Sequence, residues 1–394
     1  MSAYESTRVP VADGMRAIAI SIIALYHFWQ QSWLDMTIRI GGVRLTLLPM
    51  LRTGYIMVDM MLMLSAFLLY LPFARARRAG VAVPRTRSFY IKRAIRILPG
   101  YIFAVAAPLF MFCIPSGEFT SVRDVLSEVI PYLTFTQTLV PSVYQASRLN
   151  AVLWTVGIEV QAYLLFPFAA KAFDRKPITT YVSLLLGGAA YRLAICKTLP
   201  DLTLWINQLP SFLDVYANGM LAAWLFAKWE SRESARFDRT IQTACTIGAC
   251  ACLFAVWRII CWQSDISWQR DGLHMGQAII RFPLTALGGA WLLLASRSFR
   301  GFQAIFSNRV ASWFAGISYA LYIWHQLLAV KLRETWRFPP YRAAENPQFV
   351  AEQPWQWQYM IVCAAASVMA AALVTYIIER PSVKLLRSFE RVGT

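Results

Sequence analysis

Residues 13–33 of this chain read DGMRAIAISIIALYHFWQQSW. The middle of this stretch is apolar enough to enter a bilayer, where an ionisable side chain is costly unless it serves a site. Arg16 and His27 are eleven residues apart. Eleven residues make about three helical turns, so both side chains lie on one face, roughly 16 Å apart. The stretch predicts a membrane-spanning helix with a cation near one surface and an imidazole beyond the midplane.

The composition extends this interpretation to the whole chain. Of its 394 residues, 58% are hydrophobic and only 15% are charged, and the mean hydropathy is +0.46. Soluble domains do not combine these values, which indicate a polytopic membrane protein. The formal net charge of +17 would also suit a nucleic-acid-binding protein. We expect no nucleic-acid partner, because the cations concentrate in loops on one side, as the positive-inside rule predicts.

The apolar segments predict an all-α membrane protein, a bundle of about ten transmembrane helices that forms one domain over residues 1–394. The first span is expected to stay uncleaved, since no small-x-small cleavage pattern follows it. Segment 125–141 contains Pro131 and Glu128, so we expect a re-entrant or surface helix there. The ten spans lie near 14–34, 54–74, 94–114, 153–171, 178–196, 207–228, 240–262, 276–297, 309–332 and 357–379.

The loop charges orient these spans. Basic residues cluster in 75–96, 171–176, 228–239, 297–309 and 380–391, and these loops fall on one side only if 125–141 does not cross. Both termini are then cytoplasmic. The predicted outer loop 333–356 and the start of the next span are aromatic, which indicates either an interfacial belt or a surface that stacks on a sugar. This aromatic segment contains Trp336, Pro339, Pro340, Tyr341, Trp355 and Trp357.

Four ionisable residues from four predicted spans reach the same depth. At 1.5 Å per residue, His27 lies roughly 20 Å into a hydrocarbon core of about 30 Å. Glu159, His325 and Asp59 come to nearly the same level by the same measure, and Tyr322 shares a helical face with His325. Each histidine could instead be a packing residue, and each carboxylate could neutralise a nearby cation. A cluster would satisfy all four together, so we predict a site in the outer half of the bilayer.

A second group of candidates lies at the predicted cytoplasmic surface. Arg93 and Arg96 are three residues apart, so their guanidinium groups project from one helical face and could hold a phosphorylated ligand. Arg16 emerges at the same surface and could add a third cation. The same residues could instead anchor a helix at anionic lipid headgroups. The seven cysteines include no CxxC pair and the chain has three histidines, so we predict no metal site.

Six motifs in order resemble the acyltransferase-3 family of bacterial integral-membrane O-acyltransferases. The opening 11–19 with His27 is similar to the LDGLRGIA motif and its histidine, and 58–68 to GVDLFFVLSGFL. The closing residues 378–381 are similar to IERP. The segments 89–99, 153–167 and 318–325 are similar to FYRRRLLRIYP, LWSLSVEEQFYLLFP and SYSLYLWH. The chain departs from these motifs at Ala66, Gly157 and Val160, and it resembles members without the SGNH hydrolase-like domain.

The resemblance implies an enzyme of the bacterial inner membrane that moves an acyl group, most simply acetyl, from cytoplasmic acyl-CoA. The acceptor would be a hydroxyl of a surface carbohydrate, glycolipid or related molecule. Acyl-CoA is then the donor substrate, with no prosthetic group, and Arg93, Arg96 and Arg16 would hold its phosphates. His27 would act as general base, Glu159 would orient it, and His325 with Tyr322 would polarise the carbonyl or bind the acceptor.

Two alternatives stay open from the sequence. The acyl group could pass directly to the acceptor or through an acyl-histidine. A transporter or flippase would use the buried histidines and carboxylates as a proton relay. It would give no reason for the pair Arg93 and Arg96. His274, at the outer mouth of span eight, is predicted to be an interfacial residue only.

Overall fold

The computed structural model describes residues 8–41, 43–230, 238–335 and 354–385. Nearly all of them are helical, which confirms an all-α membrane protein. The predicted loop 333–356 lies mostly outside the described residues. The helices are α1 (Pro10–Ser32), α2 (Leu48–Thr53), α3 (Met57–Arg78), α4 (Thr86–Pro108), α5 (Val122–Leu133), α6 (Pro141–Gln145), α7 (Trp154–Arg175), α8 (Pro177–Thr198), α9 (Leu213–Glu230), α10 (Arg239–Ile266), α11 (Arg270–Ala295), α12 (Arg300–Phe306), α13 (Arg309–Thr335) and α14 (Pro354–Val374).

One small β-hairpin departs from the all-helical expectation. Strands β1 (Thr37–Ile40) and β2 (Val43–Thr46) pair antiparallel in a predicted outer loop. Gly41 in the turn has φ +54°, a left-handed conformation that glycine adopts without a Cβ clash. The hairpin is a loop feature and leaves the helical architecture unchanged.

Every predicted span coincides with a helix. Among the described residues, eight helices are long and apolar enough to cross a membrane. Two further helices, α9 and α13, match predicted spans six and nine but are not among these eight. The count of about ten spans and the cytoplasmic position of both termini remain predictions. The segment α14 continues helically to Leu385.

The chain divides into two compact units. Unit 1 consists of Met1–Ala19, Ile56–Thr86 and Leu164–Gly316, and unit 2 of Ile20–Tyr55, Arg87–Tyr163 and Ile317–Thr394. Helices α1, α7 and α13 each contribute residues to both units. The single domain predicted over residues 1–394 stays a prediction.

Close helix contacts in unit 1 depend on glycine. A Cβ on Gly219 of α9 would lie 2.2 Å from the carbonyl oxygen of Met63 in α3 and 2.7 Å from the Cβ of Ala66. A Cβ on Gly288 of α11 would lie 2.5 Å from the sulfur of Met60. Small residues let helix backbones approach within the membrane, where packing rather than water exclusion drives association. Helix α3 is therefore held between α9 and α11.

The core of unit 2 forms around α1, α13 and α14. A buried cluster joins Ala24 and Phe28 of α1 to Ala329 of α13 and to residues of α14. Tyr359 of α14 is fully buried and donates a hydrogen bond of 2.8 Å to the carbonyl of Ala329. These contacts fix the two helices that carry His27 and His325.

Segment 125–141 forms part of an irregular connection in unit 2. Helix α5 has 12 residues, or about 18 Å, which is too short to cross a hydrocarbon core of about 30 Å. Arg148 organises this connection. It donates two hydrogen bonds to Asp124, at 3.0 and 2.8 Å, and one to the backbone carbonyl of Glu118. Its guanidinium also lies 4.1 Å from the ring centroid of Phe119.

The Arg148–Asp124 pair predicts a pH-dependent stability. Hydrogen bonds from Arg148 lower the pKa of Asp124 to about 2, against an ordinary value of about 3.9. A lowered pKa in the folded state means that the stabilisation is complete above the ordinary value and is lost as the pH falls towards 2. We expect Arg148→Gln to lower the melting temperature at pH 7 and to flatten its further decline below pH 4. Thermal unfolding in detergent at several pH values measures both effects.

The exposed neighbour Arg123 supplies the control. Arg123→Gln removes the same charge without breaking the pair and should leave the wild-type pH curve intact. Parallel curves for the wild type and Arg148→Gln would contradict the role assigned to the pair.

Candidate active site

His27 and His325 meet in unit 2. The imidazole centroids lie 5.0 Å apart. His325 is completely buried, whereas His27 retains some exposure. The ring of Phe28 packs edge-on against His325 with centroids 6.5 Å apart. The two histidines therefore lie side by side, and His27 is the more exposed of the two.

Hydrogen bonds define the tautomer of each ring. Nδ1 of His325 lies 2.7 Å from the carbonyl oxygen of Tyr322 and 3.1 Å from that of Leu321. Nδ1 of His27 lies 2.8 Å from Oε1 of Gln30. These oxygens only accept hydrogen bonds, so each Nδ1 carries the proton and each Nε2 keeps its lone pair. Within the described residues, Nε2 of His325 has no hydrogen-bond partner.

The arginine pair lies on α4, also in unit 2. Arg96 is exposed, whereas Arg93 is partly buried and lies within electrostatic range of Glu159, Tyr163 and Arg96. Within the part of the chain that the structure describes, the buried Nε of Arg93 has no hydrogen-bond acceptor. A buried guanidinium nitrogen without an acceptor costs free energy unless a ligand supplies one. Among the described residues, Arg93 therefore keeps a hydrogen-bond donor that no protein acceptor uses.

Glu159 lies at the arginine end of the site. It accepts a hydrogen bond of 2.5 Å from the hydroxyl of Tyr163, one helical turn further along α7. Arg93 and Tyr319 lie within its electrostatic range. The partner that the structure gives to Nδ1 of His27 is Gln30, so orientation of that imidazole by Glu159 remains a sequence-based prediction.

Tyr322 and Tyr319 extend along α13 from the histidines. The hydroxyl of Tyr322 accepts a hydrogen bond of 2.8 Å from Thr155. The hydroxyl of Tyr319 donates a bond of 3.1 Å to the carbonyl of Ile97 in α4. A Cβ on Gly100 would lie 3.0 Å from Oε1 of Glu379 and 3.1 Å from the ring of Tyr319. Close packing at Gly100 thus brings the IERP motif beside α4 and α13.

Asp59 and Arg16 belong to unit 1. Asp59 is buried and forms an ion pair with Arg281 of α11, with Oδ2 and Nε 3.2 Å apart. Arg281 also donates to the carbonyl of Ile206 and to the hydroxyl of Ser211, both at 2.6 Å. Asp59 is therefore engaged in a structural ion pair. Arg16 lies partly buried on α1, on the same continuous helix as His27, and its predicted role beside Arg93 and Arg96 remains a prediction.

The sequence interpretation missed a second buried pair as well as Gln30. Arg192 of α8 and Asp214 of α9 form a bidentate pair with distances of 2.8 and 2.6 Å. Arg192 and Arg281 both lie within predicted spans, where an ionisable side chain is costly unless it serves a site. Both residues were therefore as noticeable in the sequence as His27. Gln30 is three residues after His27 and four after Tyr26, which are the spacings of neighbours on a helix.

Gly157 stands where the resemblance leads us to expect serine. The structure gives a reason for the glycine. A Cβ at this position would lie 2.9 Å from Nε2 of Gln137. Gln137 is buried and donates a hydrogen bond of 2.9 Å to the carbonyl of Leu153. The amide of Gln137 therefore occupies space that a side chain on residue 157 would need.

Comparisons with known proteins identify relatives of this chain. A family model described as an acyltransferase domain matches residues 10–377. Over 229 residues, the chain is 25% identical to ORF330 of the Acidianus two-tailed virus, whose name assigns it provisionally as an acetyltransferase. The match covers 57% of this chain and 61% of that relative. No solved structure matches the chain.

Proposed function

The chain belongs to the acyltransferase-3 family, and on that basis we propose that it is a membrane O-acyltransferase. In this proposal acyl-CoA, most simply acetyl-CoA, binds from the cytoplasm. The acyl group passes to a hydroxyl of a surface carbohydrate, a glycolipid or a related acceptor in a bacterial inner membrane. The family match and the viral relative support the transferase class. The donor and acceptor classes follow from the resemblance of the motifs.

The observation that carries the proposal is the partly exposed His27, with Nδ1 hydrogen-bonded to Gln30 and Nε2 left as a proton acceptor. Nε2 would remove the proton from the acceptor hydroxyl, and the oxygen would attack the thioester carbonyl. The carbon–sulfur bond then breaks, and the imidazolium returns the proton to the CoA thiolate. The products are an ester and CoA, with the histidine restored.

Unit 2 also supports a route for the donor. Arg93, whose buried Nε has no acceptor among the described residues, and the exposed Arg96 would bind the phosphates of CoA. Helix α13 runs from Tyr319, beside α4, to His325, beside His27. The six helical steps from Tyr319 to His325 span roughly 9 Å. A thin pantetheine arm could follow this helix and bring the thioester to the histidines.

We expect Arg93→Ala to weaken acyl-CoA binding. One charge-assisted hydrogen bond to phosphate contributes about 1.5–3 kcal/mol, so the KM for acyl-CoA should rise about 10- to 100-fold, with a smaller effect on kcat. The control is Lys92→Ala, which removes an exposed cation at the preceding residue. Equal KM values for the two variants would contradict phosphate binding by Arg93.

Thermal stabilisation by CoA tests phosphate binding by Arg93 in the absence of an acceptor. It also distinguishes the enzyme from a transporter. A ligand at 100 times its Kd stabilises the folded state by about 2.7 kcal/mol. CoA should therefore raise the melting temperature of the wild type and of Lys92→Ala, and should raise that of Arg93→Ala far less. Pantetheine, which lacks the phosphates, should have little effect. The absence of any CoA effect on the wild type would favour the transporter alternative.

A further inference from the structure

A hydrogen-bonded relay lies behind His27 in unit 2. Oε1 of Gln30 accepts from Nδ1 of His27 at 2.8 Å, and Nε2 of Gln30 donates to the hydroxyl of Tyr26 at 2.8 Å. Both bonds stay within α1, at separations of three and four residues. The two ends of the amide are thus used in opposite senses, one as acceptor and one as donor.

The surroundings keep this relay in one arrangement. Tyr26 packs against Tyr55, with ring centroids 5.4 Å apart and planes at 62°. A Cβ on Gly54 would lie 2.6 Å from the Cβ of Tyr26, so the loop before α3 approaches α1 directly. A packed Tyr26 holds its hydroxyl in a defined position, where it accepts the hydrogen bond from Nε2 of Gln30.

From this geometry we propose that Gln30 is a positioning residue, which holds the reactive tautomer of His27 by accepting a hydrogen bond from its Nδ1–H. The proposal rests on the function proposed above. A neutral imidazole exists as two tautomers, and only the one protonated on Nδ1 has a free lone pair on Nε2. An amide carbonyl selects this tautomer and leaves the imidazolium less stabilised than a carboxylate would. Gln30 would therefore hold the proton on Nδ1 and leave Nε2 ready to accept one.

The groups that face His27 come from three elements. Tyr26 and Gln30 lie on α1, His325 lies on α13 with a centroid distance of 5.0 Å, and Tyr55 lies behind Tyr26. None of the four is a carboxylate. A carboxylate introduced at residue 30 would thus be a new charge beside Nδ1, and it should change the pH dependence of the reaction in a defined direction.

The test uses Gln30→Leu, Gln30→Glu and the control Gln31→Glu in the full chain. Leucine removes the acceptor, so kcat should fall about 10- to 100-fold, as when other oriented imidazoles lose their partner, with the KM for acetyl-CoA unchanged. Glutamate restores an acceptor, so its kcat should exceed that of the leucine variant. Its charge also stabilises the imidazolium, so the acidic limb of kcat/KM should move upward by about one pH unit or more.

The control makes the same chemical change one residue later. Gln31 already accepts a hydrogen bond from Arg333, and a glutamate there still can, so Gln31→Glu should keep the wild-type pH profile. Wild-type kcat and pH profile in Gln30→Leu would overturn the proposal. If Gln30→Leu fails to fold, the proposal is overturned instead by a Gln30→Glu variant whose kcat/KM profile has its acidic limb at the wild-type pH. Full activity of His27→Ala would refute the proposed function itself, so the two failures are distinguishable.

Discussion

Replacement of His27 by alanine is expected to lower kcat for acyl transfer by about 10²- to 10⁴-fold, the usual contribution of a general base. The reason is specific to the site. The described neighbours of His27 are Tyr26, Gln30 and the buried His325. Within the described ranges, Nε2 of His325 has no partner, but this residue is completely buried and is therefore poorly placed to meet an acceptor that enters from outside.

The measurement is transfer of radiolabelled acetyl groups from acetyl-CoA to mixed envelope glycans by purified protein in liposomes. The matched control is His274→Ala, which removes the third histidine, a residue of α11 in unit 1. This variant should retain wild-type kcat. An unchanged melting temperature and CoA stabilisation would show that His27→Ala is folded and binds the donor. Normal transfer by His27→Ala would remove this residue from the mechanism.

Loss of Arg281 is expected to have the largest effect on stability. Its side chain is 1% exposed, as against 4% for its partner Asp59, and it also binds Ile206 and Ser211. Removal of one partner of a buried ion pair leaves an uncompensated charge and typically costs about 3–5 kcal/mol. Arg281→Met should therefore lower the free energy of unfolding by about this amount, measured by denaturation in detergent.

Two further variants sharpen this prediction. Arg258→Met removes an exposed arginine of the neighbouring helix α10 and should change stability by less than about 1 kcal/mol. The double variant Asp59→Leu with Arg281→Met removes both charges and should recover part of the loss. If Asp59 acts only in this pair, Asp59→Asn should reduce the yield of folded protein but not the turnover of the folded fraction. A normal stability with a large drop in kcat would instead support the catalytic role predicted from the sequence.

The sequence was a good guide to the elements of the fold. The apolar segments at 14–34 and 178–196 fall on α1 and α8 because about twenty apolar residues have few stable alternatives to a helix in a bilayer. The resemblance carried by six motifs is confirmed by the family match over residues 10–377. Segment 125–141 is described as a short helix and turns, because its prolines and acids disfavour a span.

The site was harder to derive because depth alone does not identify partners. His27 and Asp59 have similar estimated depths, but Asp59 pairs with Arg281 in unit 1, whereas His27 meets His325 in unit 2. A depth estimate gives one coordinate along the membrane normal. It carries no information on how the helices are arranged around one another, and an ion pair depends on that arrangement.

Residues 13–33 show, within a single helix, which features follow from the sequence and which depend on tertiary structure. The sequence by itself determined that Arg16 and His27 lie on one membrane helix at a separation of about three turns, since the helical rise is fixed. Only the tertiary structure decided that His325 of α13 faces His27, and that Tyr55 packs against Tyr26, whose hydroxyl accepts a hydrogen bond from Gln30. Contacts between distant segments depend on packing, and a hydrogen bond requires its two atoms to approach within about 3 Å.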